Sequence, residues 1–434
     1  MNIFVLAVTT MLAAVQPSIG DGPAIAPFQP GERVLCFGDS ITHGGKYICY
    51  LQLFENLRHP GSGVRFLNGG RSGGLAGTGL QVFDRELAVS HPCRAIMMFG
   101  MNDVGRHNYA DAEPDEKTAA ARKRSLDRFR GDMTKLIGRF RDAGIPLALM
   151  TPTPYDQYSV RDVANLPYCN EPGGAAIAAI VRELAASNHL GLIEQYAPLT
   201  AIWSAHAGDF VFAKDRVHPG DEGHLLMAAN ILSAAGVSPI VNEVEVKSET
   251  GDGVEFKYEP KALPFPTMPE YVKDHDFMPL TERFNCEIVR VTGLKSGRYA
   301  LAFDGTEVGE FSAEEFAAGV NVATLDTPNQ VQARGLVPVM RELQRTVARY
   351  RSVVLVRRMI EDGKVDPADH AAADAWLERY LDGIRKEPWF LGQKAWIDTY
   401  LADRDLEAET LAKIESLYAR LASVRPVTSL VSVR

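Results

Sequence analysis

Three residues carry side chains of the types that catalyse acyl transfer. Ser40, in the sequence Gly-Asp-Ser, directly follows an apolar run and precedes a helical pattern. A serine at such a strand-to-helix turn is exposed beside the free N–H groups of the helix start. Asp215 stands three residues before His218, so its carboxylate can accept a hydrogen bond from the imidazole Nδ1 and leave Nε2 free. The pattern predicts Ser40 as a nucleophile, His218 as its base and Asp215 as the residue that orients the base.

Two further segments supply hydrogen-bond donors for the oxyanion that such a reaction forms. Asn102 lies in the sequence GMND, straight after an apolar run, where its side-chain amide can point at the developing charge. Gly73, in the glycine-rich segment 68–74, lets a backbone N–H approach the substrate, and Gly74 is the less favoured choice. These donors predict an oxyanion hole formed by Ser40, Gly73 and Asn102.

Each of these segments also has an ordinary structural explanation. Asp39 or Ser40 can cap a helix, Asn102 can occupy a turn, and a D-x-x-H sequence is more often a surface pair. The catalytic interpretation depends on finding the whole set in one chain, because a nucleophile, an oriented base and oxyanion donors are needed together. Asp39, Arg106 and His107 adjoin these segments and are candidate substrate contacts, although such side chains are as often only solvent-exposed.

Metal and nucleotide chemistry are not predicted. The ten histidines offer no H-E-x-x-H sequence, and His206, His218 and His224 lack zinc spacing on one helix face. The segment 69–79 is glycine-rich, but it fits neither G-x-G-x-x-G nor a phosphate loop with a following Lys-Ser or Lys-Thr. We therefore expect neither a metal nor a cofactor.

The elements that must hold these residues follow from the hydrophobic pattern, in which short apolar runs alternate with stretches of helical spacing. The strands are predicted at 34–37, 64–67, 95–99, 147–150 and 192–193, and the helices at 41–57, 116–143, 174–188 and 221–235. This alternation predicts a parallel sheet covered by helices on both faces over residues 31–236. Such sheets bind ligands at the carboxyl ends of their strands, and the four segments lie there or just before the last helix.

The chain resembles the SGNH (GDSL-like) hydrolases in the types of its motifs and in their order along the sequence. The family's four blocks correspond to GDS with Ser40, a second-block glycine, G-x-N-D with Asn102, and D-x-x-H with Asp215 and His218. The second block fits best as N-x-x-x-S-G ending at Gly73. The resemblance implies a flavodoxin-like three-layer α/β/α domain and metal-free ester hydrolysis through an acyl-enzyme. It extends to exported carbohydrate acetylesterases.

The second half of the chain has a different pattern. From 240 to 330 short apolar runs alternate with polar residues and Gly-containing turns, which predicts a β-rich accessory region. From 331 to 434 we expect a helical C-terminal region, since Arg, Glu and Leu recur at helical spacing as far as about residue 422. The resemblance leaves the role of residues 240–434 open.

Composition and the first residues bear on partners and location. The formal charge of −9 gives the protein no attraction to nucleic acid. Residues 1–20 form an apolar run followed by small residues, as in a signal peptide, although no Lys or Arg precedes the run. No later segment has the ~20 apolar residues that span a bilayer. We expect a secreted or periplasmic protein with no integral membrane segment in its mature form.

The five cysteines are an odd number without paired spacing, and which of them pair stays open.

The expected substrates are short acyl esters, chiefly O-acetyl groups on carbohydrate. The loops near the catalytic blocks, 69–79 and 105–111, are polar and glycine-rich, whereas a lipase needs an apolar groove that gains about 0.8 kcal/mol for each buried methylene. A lipid esterase or thioesterase of the same family is the alternative enzyme. A non-catalytic carbohydrate-binding protein on a degenerate hydrolase fold is a third interpretation, and the complete set of catalytic residues argues against it.

Overall fold

The computed structural model of the chain describes residues 24–274, 276–387 and 389–434. The signal peptide expected at 1–20 lies outside these residues. No helix in the described part of the chain is long and apolar enough to cross a membrane.

A five-stranded sheet forms the centre of the first half of the chain. Its strands are β1 (Arg33–Gly38), β2 (Arg65–Gly70), β3 (Arg94–Met98), β4 (Leu147–Met150) and β5 (Gly191–Ile193). All neighbouring strands run parallel, in the order β2-β1-β3-β4-β5, which is the doubly wound order of flavodoxin-like folds. The predicted α/β class and the parallel sheet are confirmed.

Helices flank this sheet, which is why its strands are apolar along most of their length. They are α1 (Ser40–Gly44), α2 (Lys46–Arg58), α3 (Ala76–Ser90), α4 (Glu116–Asp142), α5 (Ala175–Ser187), α6 (Tyr196–Ala205) and α7 (Asp221–Ala234). The helix predicted over 41–57 is in fact two helices, because Gly45 adopts a left-handed φ of +72° between them. The hydrophobic pattern did not indicate α3, whose Gly79 lies so close to the sheet that a Cβ would approach Phe37 to 3.2 Å.

The region after residue 240 contains two small sheets. Its elements are β6 (Ile240–Lys247), β7 (Val254–Tyr258), α8 (Pro269–Asp274), α9 (Leu280–Phe284), β8 (Cys286–Thr292), β9 (Arg298–Phe303), β10 (Thr306–Ser312), α10 (Ala313–Ala318) and β11 (Val320–Asn321). Although β6 and β7 flank a glycine-containing turn, they do not pair with each other. Instead β6 runs parallel to β8 in a three-stranded sheet of order β11-β8-β6, and β7 belongs to the other sheet.

The C-terminal region is helical as far as Ala422 and is then followed by a strand. Its helices are α11 (Pro328–Gly335), α12 (Val337–Asp362), α13 (His370–Gly383), α14 (Phe390–Asp403) and α15 (Glu407–Ala422). The helical pattern was expected as far as about residue 422, and the segment beyond it contains β12 (Ser429–Val433), a strand that the sequence did not indicate and that lies between β9 and β7, antiparallel to both. Val431 and Val433 are fully buried in the core of this sheet, and their burial explains why the segment pairs as a strand.

The C-terminal helices share one core with the central sheet. Leu343 of α12 and Leu421 of α15 belong to the same buried apolar cluster as the strands of the parallel sheet. Arg351 of α12 donates hydrogen bonds to the carboxylate of Glu86 on α3 and to the carbonyl oxygen of Gly70 at the end of β2. Thus α12 packs at the sheet edge where the Gly-Asp-Ser segment and the glycine-rich segment of the first half meet.

Candidate active site

The turn between β1 and α1 holds Ser40 at the carboxyl edge of the sheet. Gly38 ends β1, and a Cβ there would lie 2.5 Å from the carbonyl oxygen of Met98, so a larger residue would clash with β3. Asp39 has an extended backbone, and its carboxylate accepts a hydrogen bond from the N–H of Ile41 (3.0 Å), which caps α1. Ser40 is therefore the first residue of a capped helix.

Asp39 is buried in this position. The residue is 1% exposed, and its carboxylate is occupied by the cap. Burial raises the pKa of this carboxyl to about 6, although the N–H of Ile41 and the charges of His218 and Arg106 act to lower it. The burial of Asp39 and its role as a helix cap do not support the expected substrate contact, which stays a prediction.

His218 connects Ser40 to Asp215. Its Nε2 lies 2.8 Å from Ser40 Oγ, and its Nδ1 lies 2.6 Å from Asp215 Oδ2. The other carboxylate oxygen accepts the backbone N–H groups of Val217 (3.0 Å) and His218 (2.8 Å). Burial acts to raise the pKa of Asp215, but the hydrogen bonds from His218 and Val217 outweigh it, so this pKa lies well below its usual range. An ionised Asp215 holds the ring with Nδ1 protonated and Nε2 facing the serine hydroxyl.

A buried arginine fixes the loop that carries this Asp-His pair. Arg216 is 2% exposed and adopts a left-handed φ of +69°, a conformation that costs a non-glycine residue free energy. Its guanidinium donates to the carbonyl oxygens of Asp156, Ser159 and Val163 over 2.8–3.1 Å. The N–H of Asp156 donates in return to the carbonyl oxygen of Arg216 (2.8 Å). Sequence reasoning missed Arg216, because a variable position inside D-x-x-H gives no signal of burial.

Asn102 follows β3, and two partners hold its side-chain amide. Its Nδ2 donates to the carbonyl oxygen of Gly74 (2.9 Å), and its Oδ1 accepts a hydrogen bond from Arg106 (3.0 Å), which also donates to Met101 O (2.7 Å). Because a guanidinium can only donate, Arg106 determines which end of the amide is the oxygen. The second N–H of Nδ2 has no acceptor among the described residues, so it is free to bind an oxyanion.

The second block forms a turn in which two neighbouring glycines differ. The N–H of Arg71 donates to the carbonyl oxygen of Gly38 (2.9 Å), which fastens the turn to the end of β1. The N–H of Gly74 donates to the carbonyl oxygen of Arg71 (3.0 Å) and is therefore occupied. Gly73 is exposed with a φ of +68°, and within the described part of the chain its N–H has no acceptor. This difference favours Gly73 over Gly74 as an oxyanion donor.

Asp103 ties the third block to α3. Its Oδ1 accepts a hydrogen bond from the N–H of Ala76, the first residue of α3, over 3.0 Å. Burial raises the pKa of the Asp103 carboxyl to about 7, and the nearby charge of Asp39 adds to this effect. Sequence reasoning did not single out Asp103, because the helix that it caps was not predicted.

Two clefts open beside these residues. One has a volume of about 590 Å³ and is lined by Asn102, Arg106 and His107, and the other has a volume of about 770 Å³ and is lined by His218. Arg106 and His107 thus face a cleft, whereas Asp39 does not. The described residues contain no group of three or more His, Cys, Asp or Glu side chains that could hold a metal ion. The five cysteines, all of them described, are unpaired.

The chain is similar to known hydrolases. Residues 36–226 match the model of the GDSL-like Lipase/Acylhydrolase family. The acetylxylan esterase of Geobacillus stearothermophilus is 24% identical over 221 residues, which cover 48% of this chain and 94% of that enzyme. The structure of a gut microbial diltiazem-metabolizing enzyme is 23% identical, and its match covers 95% of this chain and 99% of that chain with a TM-score of 0.80. The fold as a whole, including the accessory and C-terminal regions, therefore occurs in a second protein.

Proposed function

We propose that this chain, whose residues 36–226 match the model of the GDSL-like Lipase/Acylhydrolase family, is a serine esterase that hydrolyses short acyl esters, chiefly O-acetyl groups on carbohydrate. The observation that carries the proposal is the continuous series of hydrogen bonds from Asp215 through His218 to Ser40. The series lies at the carboxyl edge of a parallel sheet, where such folds bind their ligands.

In the first half of the proposed reaction, Ser40 Oγ attacks the ester carbonyl carbon while His218 Nε2 accepts the hydroxyl proton. The tetrahedral intermediate collapses when the imidazolium donates that proton to the leaving alcohol oxygen. The bond between the carbonyl carbon and this oxygen breaks, and the acyl group stays on Oγ. The ionised Asp215 stabilises the positive ring through Nδ1.

In the second half, water releases the acyl group. His218 Nε2 accepts a proton from the water molecule as its oxygen attacks the acyl carbon. The second tetrahedral intermediate then expels Ser40 Oγ, which regains its proton from the imidazolium, and the free acid leaves. The same side chain serves as base and acid in both halves, so the enzyme returns to its starting state.

The negative charge on the carbonyl oxygen would lie among three donors. They are the N–H of Ser40, the N–H of Gly73 and the Nδ2 amide of Asn102. The hydrogen bonds from Arg106 to Asn102 and from Asn102 to Gly74 support this assignment, because donors that are already held in place stabilise a developing charge without reorganisation.

Several observations support a short acyl group on carbohydrate. The clefts beside Asn102 and His218 each carry several charged side chains, whereas a long acyl chain is bound by a continuous apolar groove. The similar acetylxylan esterase points to the same class of substrate. We also propose that the protein acts outside the cytoplasm, where acylated polysaccharides are met.

A series of p-nitrophenyl esters tests the acyl specificity. We expect the acetate ester to be cleaved fastest, with a steep fall in kcat/KM beyond butyrate, because charged side chains line the two clefts beside the site and would not favour the binding of further methylenes. Acetylated xylan and pectin should release acetate in parallel assays, with the Ser40→Ala variant as the blank. A maximum at octanoate or longer, with no acetate released from any glycan, would identify a lipid esterase instead.

Asn102→Ala tests the oxyanion donor. We expect kcat to fall by roughly a hundredfold to a thousandfold, the usual cost of losing one such donor, while KM moves much less. Asn108→Ala is a matched control, because Asn108 lines the same cleft and, within the described chain, its amide donates to the carbonyl oxygen of Gly105 alone. An Asn102→Ala variant with raised KM and unchanged kcat would show that Asn102 binds substrate and has no role in the transition state.

A further inference from the structure

The cleft beside Asn102 presents three arginine side chains and no carboxylate. Arg106, Arg124 and Arg128 line its volume of about 590 Å³, together with His107, and the lining residues include no Asp or Glu. We call this site the arginine cleft. The chain as a whole carries a formal charge of −9, so the positive cleft is a local feature and does not reflect the general charge of the protein.

Two of the three arginines lack the partners that the other arginines of the same helix have. Arg124 and Arg128 are exposed on α4 and stand four residues apart, a spacing that places like charges on one face and is unfavourable. Within the described part of the chain neither forms an ion pair or a hydrogen bond, although the charge of Arg128 acts on Asp103. The other arginines of α4 pair with carboxylates or carbonyl oxygens: Arg122, Arg130, Arg139 and Arg141.

The cleft on the other side of the site has a different charge pattern. Lys46 and Arg341 line it, but both bind Asp221, at 2.5 Å and 3.3 Å respectively, and Arg341 also binds Glu270 at 2.7 Å. These two charges are neutralised within the protein, whereas Lys214, which also lines this cleft, forms no ion pair within the described chain. Of the two clefts beside the site, the arginine cleft is the one that is lined by guanidinium groups without a carboxylate partner in the described chain, which favours a ligand that brings its own negative charge.

We propose that the arginine cleft binds a carboxylate on the glycan, so that the natural substrate is an acylated acidic polysaccharide. The proposal rests on the esterase function proposed above. A guanidinium binds a carboxylate through two parallel hydrogen bonds, and a volume of about 590 Å³ is in the range of sites for small ligands. Asn102 lines the cleft, so an acidic sugar held there lies next to the residue that is proposed to bind the oxyanion.

Two substrates that differ in whether the uronate carboxylate is free or methylated test this assignment. One is O-acetylated polygalacturonan with free carboxylates, and the other is the same polymer after methyl esterification. For the wild-type protein we expect kcat/KM for acetate release to be about tenfold or more higher on the free acid, the range expected for one or two charge-assisted hydrogen bonds. The ratio should shrink as salt is added, because salt screens exposed charges.

The double variant Arg124→Gln/Arg128→Gln should bring this ratio close to one. The matched control is Arg130→Gln/Arg139→Gln, which removes two arginines of the same helix that pair with Glu183 and Asp84 outside the cleft and should keep the wild-type ratio. Thermal unfolding of both double variants checks that each is folded. A wild-type ratio of one or below, or a ratio that survives in Arg124→Gln/Arg128→Gln, would overturn the proposal.

A binding measurement separates this proposal from the esterase function. Calorimetric titration of the Ser40→Ala variant with trigalacturonate and with neutral galactotriose should show binding of the acidic sugar only, lost on adding Arg124→Gln/Arg128→Gln. If Ser40→Ala binds the acidic sugar selectively but the wild-type protein cleaves no ester, the proposed role of the arginine cleft stands and the esterase proposal fails. If the wild-type protein hydrolyses esters but Ser40→Ala shows no selectivity for the acidic sugar, the esterase proposal stands and the proposal for the arginine cleft fails.

Discussion

Ser40→Ala is expected to lower kcat for p-nitrophenyl acetate on the order of a millionfold, the loss seen when the nucleophile of a serine hydrolase is removed. The fold should be intact, because the side chain of Ser40 forms a hydrogen bond to His218 Nε2 and to no other group of the described chain. Alanine is also a good helix former at the start of α1. Stopped assays of p-nitrophenol release, with circular dichroism of both proteins, measure the two effects.

Ser72→Ala is the matched control for this experiment. Ser72 lies at the same sheet edge, in the turn after β2, and within the described chain its hydroxyl makes no hydrogen bond, so its loss should leave hydrolysis near the wild-type rate. A fluorophosphonate should label the wild-type protein and Ser72→Ala on Ser40, and it should not label Ser40→Ala. Hydrolysis by Ser40→Ala above about one part in a thousand of the wild-type rate would refute the assignment of the nucleophile.

Asp215→Asn is expected to lower kcat by about ten-thousandfold near neutral pH. The asparagine Oδ1 can still accept the N–H groups of Val217 and His218, so the loop should keep its shape. Its NH₂ group would face His218 Nδ1, however, and would favour the tautomer that carries the proton on Nε2. The ring could then no longer accept the Ser40 proton. The kcat of the variant against pH, measured beside the wild type, tests this expectation.

The shifted pKa of Asp215 determines in which direction its contribution to stability changes with pH. The hydrogen bonds from His218 and Val217 hold the pKa of Asp215 below its usual range, so its contribution to stability is present above about pH 3.9 and is lost as the pH falls toward the folded pKa. Asp215 should therefore add no ionisation of its own to the wild-type kcat/KM profile until the pH falls below about 3.9. Asp209→Asn is the control, since Asp209 also stands three residues from a histidine, His206, at 3.7 Å. A fall of kcat in both variants would contradict a specific role for Asp215.

The parallel sheet and the positions of Ser40, Asn102 and His218 at its edge could be predicted because the information is local. A buried strand of a parallel sheet is an uninterrupted apolar run, as in β1, and a motif that directly follows such a run must lie at the carboxyl end of that strand. The family match over residues 36–226 agrees with the four blocks that the sequence supplied.

The features that the sequence did not reveal depend on contacts between distant segments. In the sequence Arg216 cannot be told from an arginine on the surface. Its burial depends on the carbonyl oxygens of the segment after β4, to which its guanidinium donates. The side chain of Arg106 was expected to meet substrate, but it also holds the Asn102 amide. The alternation of β6 and β7 identified two strands correctly, yet their partners are β8 and β12, which lie far from them in the chain.

The position of β12 bears on how the protein is made. Because this strand lies between β9 and β7, the four-stranded sheet cannot close until Ser429–Val433 has left the ribosome, whereas the strands of the parallel sheet are complete by Ile193. Domains fold in the order of their synthesis where they can. From the completion of β9 at Phe303 until β12 emerges, the nascent chain therefore carries unpaired edges on β7 and β9, of the kind that pair with other chains in aggregation. When β12 emerges, it covers an edge of each strand.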